Sequence, residues 1–317
     1  MQRSAIVNGL RLAWCEAGPE DADETIVLLH GLLESTETWE HVLPLLAEEH
    51  RVIGVDLLGH GLTSKPLQAD YSIPALATHV RDVLALLDVE GATVVGHSLG
   101  GGVALQMTYL WPELVGRLVL VSSGGLGRST GPLLKLLAAP LPVGIFLDLT
   151  VSPRTMGWVR RGMERFGRRF DDPKITDWLR TAEALADAPS RRAVLRLARG
   201  VLGPKGQRVG ATDRLHLAGN LPVAIVWGDE DPLLPIGHGR RAHAMIPGSR
   251  FEVFEGSGHW PHIDHPQRLA DIIRDLVATT EPKVQRVGDV IRDLDIVPTV
   301  VRPGWSSVDQ AVADQVE

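Results

Sequence analysis

The sequence predicts an α/β protein: a mostly parallel sheet flanked by helices. Three observations carry that expectation. Short apolar or β-branched runs alternate with longer amphipathic stretches. The runs are apolar at nearly every position, as strands covered on both faces are. From about Leu126 to His216 the alternation stops, which marks an insertion between two strands.

Taken in order, residues 4–7 and 10–14 surround Asn8-Gly9, a turn dipeptide, so the chain is expected to open with a hairpin at an antiparallel edge. The runs 26–29, 52–55, 93–95, 118–121 and 224–227 read as buried strands, and 251–254 as a further strand. Between them, 39–49, 73–87, 99–110 and 267–279 carry apolar residues at helical period, the last directly after Pro266. The insertion reads as several short helices broken by Pro140, Pro142, Pro153, Pro173, Pro189 and Pro204. Within it Val159, Met163, Phe166 and Phe170 form one stripe, with Arg160, Arg161, Arg165, Arg168 and Arg169 largely off it. After Glu281-Pro282 the chain turns polar and weakly patterned. The expected organisation is a core of 1–125 and 217–280, a helical insertion at 126–216 and a loosely attached tail at 281–317.

At 317 residues the chain is long enough for one large domain or two modest ones, at roughly 150 residues each. Apolar residues at 44% supply a core and exclude disorder for most of the length. Cys15 is the only cysteine, so no internal disulfide and no cysteine zinc site can form, and a reducing, cytoplasmic compartment is expected. Residues 1–10 contain no apolar signal-peptide segment. The greasiest stretch, 133–151, is interrupted by Lys135, Pro140, Pro142 and Asp148 and does not read as a membrane span. A net charge of -7 argues against nucleic-acid binding. Charge is nonetheless uneven. Residues 128–214 hold 17 basic against 8 acidic side chains, and the remainder 15 against 31. The basic insertion reads either as solvated helices pairing with the acidic body, or as a source of one or two arginines, Arg165 and Arg169 among them, that attract an anionic substrate.

The most specific motif is Gly96-His97-Ser98-Leu99-Gly100, directly after a predicted strand and before a predicted helix. A sharp strand-to-helix turn needs small residues two before and two after the serine, and it thrusts the hydroxyl out at the sheet edge. Leu99 opens the helix, so its N–H is free to act as an oxyanion donor. A serine hydroxyl needs a base, and the base a third group to orient it. The strand at 224–227 ends in Gly228-Asp229-Glu230-Asp231-Pro232, and the strand at 251–254 ends in Glu255-Gly256-Ser257-Gly258-His259. Carboxylates and an imidazole thus reach the same rim, in the order Ser98, acid, His259. His97 reads as a packing and hydrogen-bonding residue. Asp56 and His60 read as ties within the loop after their strand, and Asp229 as a rim hydrogen-bond partner or a solvated group. His259, His262 and His265 have a spacing that suggests a metal, but Pro261 and Pro266 break the helix that would align them.

These residues together resemble the α/β-hydrolase fold superfamily of serine hydrolases over about residues 1–280. His30-Gly31-Leu32-Leu33 is similar to its His-Gly loop, which implies Leu32 as the second oxyanion N–H. Asp56-Leu57-Leu58-Gly59-His60-Gly61 with Ser64 resembles its Asp-x-x-Gly-x-Gly-x-Ser turn. The Gly-x-x-Asp pattern at Gly228 to Asp231 implies Asp231, over Asp229, as the triad acid. The resemblance implies a helical cap after the sixth strand, a triad of Ser98, Asp231 and His259, and cofactor-independent cleavage of a small ester or other acyl substrate. It sets aside the halide and epoxide chemistries, which use an Asp nucleophile where this chain has Ser98. Val121-Ser122-Ser123-Gly124-Gly125-Leu126-Gly127 is similar to the corresponding stretch of carbon-carbon hydrolases acting on ring-opened dienoates, but those often carry Asn where this chain has His97, so ester cleavage ranks first. Some relatives with intact triads serve as small-molecule receptors, a third use of the same residues.

Overall fold

Asn8 and Gly9 take φ of 49° and 78°, the paired positive values of a tight hairpin turn, and join β1 (Gln2–Val7) to β2 (Leu10–Ala17). The computed structural model describes residues 1–137, 155–158, 161 and 173–284. Behind the hairpin come β3 (Thr25–Leu29), β4 (Arg51–Asp56), β5 (Ala92–His97) and β6 (Val115–Val121). A separate two-stranded ribbon follows, β7 (Leu202–Gly203) and β8 (Gly206–Gln207), and then β9 (Val223–Gly228) and β10 (Arg250–Phe254). The eight-stranded sheet has the order β1-β2-β4-β3-β5-β6-β9-β10. All its pairings from β4 to β10 are parallel, and only the β1-β2 and β2-β4 pairings are antiparallel. The hairpin is therefore the antiparallel edge that Asn8-Gly9 predicts.

Every residue of β5, β6 and β9 is buried, because helices cover both faces of these strands. Ile73–Leu86, Leu99–Leu110, Gly237–Met245 and Pro266–Thr279 are the main helices of the sheet layers. Six parallel strands point their C-terminal ends at one rim. The loops 30–34, 57–64, 98, 122–125, 229–231 and 255–259 consequently lie side by side, although they come from across the sequence. At the opposite end, the buried Arg117 binds Glu24 at 2.6 Å and Thr280 Oγ1 at 2.9 Å, tying β6, β3 and the last helix together.

Two local expectations change. Residues 39–49 do not form one helix. Ser35 caps a 3-10 turn at Thr36–Trp39, and a separate single turn runs Leu43–Leu46. Pro44 has no N–H to donate, so it can stand only in the first turn of a helix, and a new one must begin there. Likewise, Pro173 and Pro189 start helices where they were expected to break them. Pro173–Ala186 and Ala188–Val201 are each 14 residues long, and Asp187 caps the second by accepting from Ser190 N at 2.9 Å. A shorter helix runs Pro132–Leu137. The segments leading into and out of this region lie together: Ala211 N donates to Gly125 O and Gln207 N to Arg128 O, both at 2.8 Å. The stripe of Val159, Met163, Phe166 and Phe170, its arginines other than Arg161, and residues 138–151 lie outside the described residues. So does the tail from residue 285; before that point Lys283 N donates to Gly116 O at 3.0 Å. No helix among the described residues is long and apolar enough to cross a membrane.

The start of Leu99–Leu110 approaches β3 and β5 at backbone contact. A Cβ on Gly100 would overlap the carbonyl oxygen of Leu29, and one on Gly96 the carbonyl of Gly100. A Cβ on Gly102 meets nothing closer than 3.8 Å. Gly100→Ala is therefore expected to destabilise the fold by about 1–3 kcal/mol through overpacking. Gly102→Ala should stabilise it by up to about 1 kcal/mol through helix propensity. Urea unfolding midpoints of the two variants check the contrast.

Candidate active site

Ser98 follows β5 with φ 50° and ψ -112°, outside the regions comfortable for an L-residue. Two neighbours on the rim share the strain: Leu33 after β3 has φ 70° and Ser122 after β6 has φ 42°. Such conformations cost roughly 1–3 kcal/mol each and persist only where packing over-determines them. Here Ser98 N donates to Val121 O at 3.0 Å and Gly124 N donates to Ser98 O at 2.8 Å, which fixes the turn from both sides.

The structure brings the three predicted side chains into one chain of hydrogen bonds. Ser98 Oγ lies 3.0 Å from His259 Nε2, and His259 Nδ1 lies 2.8 Å from Asp231 Oδ2. The other carboxylate oxygen of Asp231 accepts from Leu233 N at 2.8 Å and Leu234 N at 2.9 Å, so the acid cannot rotate freely. Asp229 is used differently: it accepts from Gly256 N at 2.7 Å and ties the β9 loop to the β10 loop. Burial would raise the Asp231 pKa, but the hydrogen bond and charge of His259, with the two backbone donors, hold it below the usual carboxylate value. For His259 burial dominates, reinforced by nearby His97 and opposed by Asp231, and its pKa is lowered. At neutral pH the ring is therefore neutral, with Nδ1 donating to Asp231 and Nε2 free to accept from the serine.

Directly beneath lies a buried network for which the sequence gives little signal. Both ring nitrogens of His97 face acceptors, Nδ1 at 3.0 Å from Glu34 Oε2 and Nε2 at 2.9 Å from the carbonyl of His259. A ring with two acceptors carries two protons, so His97 is an imidazolium. Burial alone would strip that proton, yet the charge of Glu34 and the hydrogen bond to it outweigh burial and raise the pKa. Glu34 is the reciprocal case: burial opposes its charge, but His97 holds the carboxyl well below the usual range. Glu34 also accepts from Gly31 N at 2.7 Å and Trp260 Nε1 at 2.8 Å. One ion pair thus joins the loops after β3, β5 and β10. Glu34, His97 and His262 bring ligand-capable atoms within 4.8 Å of one another. The oxygens of Glu34 and both nitrogens of His97 are already hydrogen-bonded, and His262 Nε2 lies 2.9 Å from Thr38 Oγ1. As an imidazolium His97 has no lone pair to offer, so this cluster is an ion pair with His262 Nδ1 left over. His265 packs its ring edge-on to Phe254, so the three histidines of the 259–265 stretch serve three different partners.

The remaining predicted residues support the loops. Asp56 accepts from Thr36 N and Leu62 N, both at 2.8 Å. His30 Nε2 accepts from Leu57 N at 3.0 Å, which anchors the loop carrying Leu32. His60 is buried against His30, and burial lowers its pKa to about 3, so it stays neutral. Ser98, Leu32 and Leu99 border a cavity of about 110 Å³, and the N–H of Leu99 belongs to the first helical residue, which has no acceptor within its helix.

Comparison with known proteins agrees with this architecture. Residues 24–266 match the family described as the alpha/beta hydrolase fold. The chain belongs to this family. An uncharacterized protein of Mycobacterium tuberculosis is 41% identical over 281 residues, covering 87% of this chain and 81% of the relative. The 2-hydroxymuconate semialdehyde hydrolase of Pseudomonas sp. (strain CF600) is 28% identical over 286 residues, covering 88% and 94%. Among solved structures, an esterase of Rhodococcus sp. is 27% identical with a TM-score of 0.63, covering 88% of this chain and 98% of that one. Esterases and carbon-carbon hydrolases of the family therefore both stand among its neighbours.

The ring of His97 lies 4.9 Å from that of His259, close enough for its charge to depress the second imidazole. Replacing it in His97→Asn removes a positive charge, so the His259 titration midpoint is expected to rise. NMR titration of the His259 ring reads the change; an unmoved midpoint would refute the imidazolium assignment.

Proposed function

We propose that the protein is a serine hydrolase that cleaves a carboxylic ester, or a related acyl bond, through an acyl-enzyme on Ser98. The observation that carries this reading is the unbroken hydrogen-bonded chain from Ser98 through His259 to Asp231. Ser98 Oγ attacks the carbonyl carbon while its proton passes to His259 Nε2. Asp231 holds the Nδ1 proton in place and stabilises the imidazolium as it forms. The backbone N–H groups of Leu32 and Leu99 receive the carbonyl oxygen as it gains charge, each worth about 3–4 kcal/mol in the transition state. His259 then protonates the leaving alkoxide, activates water, and the acyl-enzyme is hydrolysed. None of these steps calls for a cofactor. The low His259 pKa favours the reading, because the base is deprotonated before the substrate arrives. The single cysteine fits a reducing, cytoplasmic setting.

A second reading, cleavage of a carbon-carbon bond in a ring-opened dienoate by the same three residues, is favoured by the similarity to the 2-hydroxymuconate semialdehyde hydrolase. The esterase likeness and His97 in place of Asn put ester cleavage first.

Ser98→Ala is expected to lower kcat/KM on p-nitrophenyl butyrate at least about a thousandfold with an unchanged circular dichroism spectrum, and Asp231→Asn about ten-thousandfold. Retained turnover in Ser98→Ala would reject the mechanism. Turnover of a dienoate, with none on any p-nitrophenyl ester, would reverse the order of the two readings.

A further inference from the structure

The cavity beside Ser98 has a second end. Ser98, Gly102, Gln106 and Tyr109 follow one another at steps of four, four and three residues, so they share one face of the helix Leu99–Leu110. Ser98, Gly102, Gln106 and Tyr109 all border the same cavity. At about 1.5 Å per residue, the eleven steps from Ser98 to Tyr109 span about 16 Å, and the tyrosine ring leans back toward Ser98 by up to about one turn. The opposing wall is apolar and includes Ile73, Leu134, Leu197, Val201, Val209 and Leu234. The cavity has a volume of about 110 Å³.

The polar groups of the cavity gather at the end away from Ser98. Gln207 also borders the cavity, but its side chain is consumed by Gly125 N at 2.7 Å and Gly127 O at 2.6 Å. Three polar side chains remain. The Arg214 guanidinium carbon sits 5.9 Å from the centre of the Tyr109 ring. Among the described residues the carboxylate against Arg214 is its chain neighbour Asp213, at 3.4 Å with both side chains exposed, the kind of ion pair that water weakens. The hydroxyl of Tyr109 is buried without a hydrogen-bond partner among the described residues, and burial keeps it protonated as a donor. Gln106 shows no hydrogen-bond partner among the described residues and offers a further N–H donor at the cavity wall. A guanidinium, a phenol and a carboxamide together supply donors in excess, and what completes them is an oxyanion.

Resting on the reading of Ser98 as the nucleophile, we infer that the substrate is an ester of a linear acid whose far end carries a carboxylate, bound by Arg214, Tyr109 and Gln106. The spacing of Ser98 and Tyr109 along the helix sets the length. An extended chain advances roughly 1.2 Å per bond, so about nine bonds bridge the acyl carbon and the oxyanion site once the lean of Tyr109 is allowed for. Arginine pairs with a planar carboxylate through two parallel hydrogen bonds, which gives orientation as well as attraction. The basic side chain that meets the substrate is then Arg214, at the exit of the insertion.

The test compares p-nitrophenyl monoesters of eight- to ten-carbon dicarboxylic acids with p-nitrophenyl alkanoates of equal length. In the wild type the ratio of kcat/KM, carboxylated over neutral, is expected to be about ten or more, the worth of one charge-assisted hydrogen bond, and to lie mainly in KM. In Arg214→Gln that ratio should fall to about one, and in Tyr109→Phe, which keeps the ring and its packing, it should fall severalfold. A wild-type ratio of one or less overturns the carboxylate assignment while leaving the serine mechanism standing. A high ratio that neither variant lowers also overturns it. Absence of turnover on both ester series overturns the serine reading itself, and the substrate assignment with it.

Discussion

The close approach of a helix N-terminus to the middle of a parallel sheet governs everything at the rim. Leu99–Leu110 begins against the ends of β3 and β5 at a distance that leaves no room for a side chain at Gly96 or Gly100, and Ser123 closes on Gly101 from the β6 side. Because three strands crowd one helix start, Ser98 cannot relax its strained backbone, and its hydroxyl projects from the rim. The same crowding brings the ends of β3, β5 and β6 together, and each contributes a non-glycine residue at positive φ. The strain is local, and it is held by a sheet core whose residues are almost wholly buried.

Charge is arranged in two tiers about this turn. The upper tier is Asp231 with His259, a carboxylate fixed by two backbone donors and a ring kept neutral by burial. The lower tier is Glu34 with His97, a buried ion pair whose two members sustain each other's charge. A buried pair of this kind is no guarantee of added stability, since desolvating both members costs about as much as their attraction returns. What it adds here is registration. His97 holds the backbone carbonyl of His259, and Glu34 holds the amide of Gly31 and the indole of Trp260, so the loop bearing the imidazole and the loop bearing Leu32 are located relative to Ser98.

Much of this was legible in the sequence because the physics is local. Strands covered on both faces announce themselves as unbroken apolar runs, and the strand ends at residues 97, 228 and 254 deliver Ser98, Asp231 and His259 to one edge by topology alone. What set Asp231 apart from Asp229 was the family resemblance at Gly228 to Asp231, and Asp229 ties two loops instead. Other features were hidden because their cause is distant or positional. Glu34 and His97 are 63 residues apart, and nothing near either reveals the pairing. Proline misled in both directions: Pro44 divides what reads as one helix, whereas Pro173 and Pro189 begin helices they seemed fit to interrupt. Arg214 reads as one basic residue among seventeen in its region, and only its place over Tyr109 distinguishes it.

The account stands on a serine made nucleophilic by a neutral imidazole. Labelling with a fluorophosphonate followed by peptide mass mapping addresses that directly. A single adduct on Ser98 is predicted, formed rapidly at neutral pH and ever more slowly as acid protonates His259. Adducts on other residues with Ser98 unmodified, or a labelling rate indifferent to pH and to His259→Asn, would contradict it.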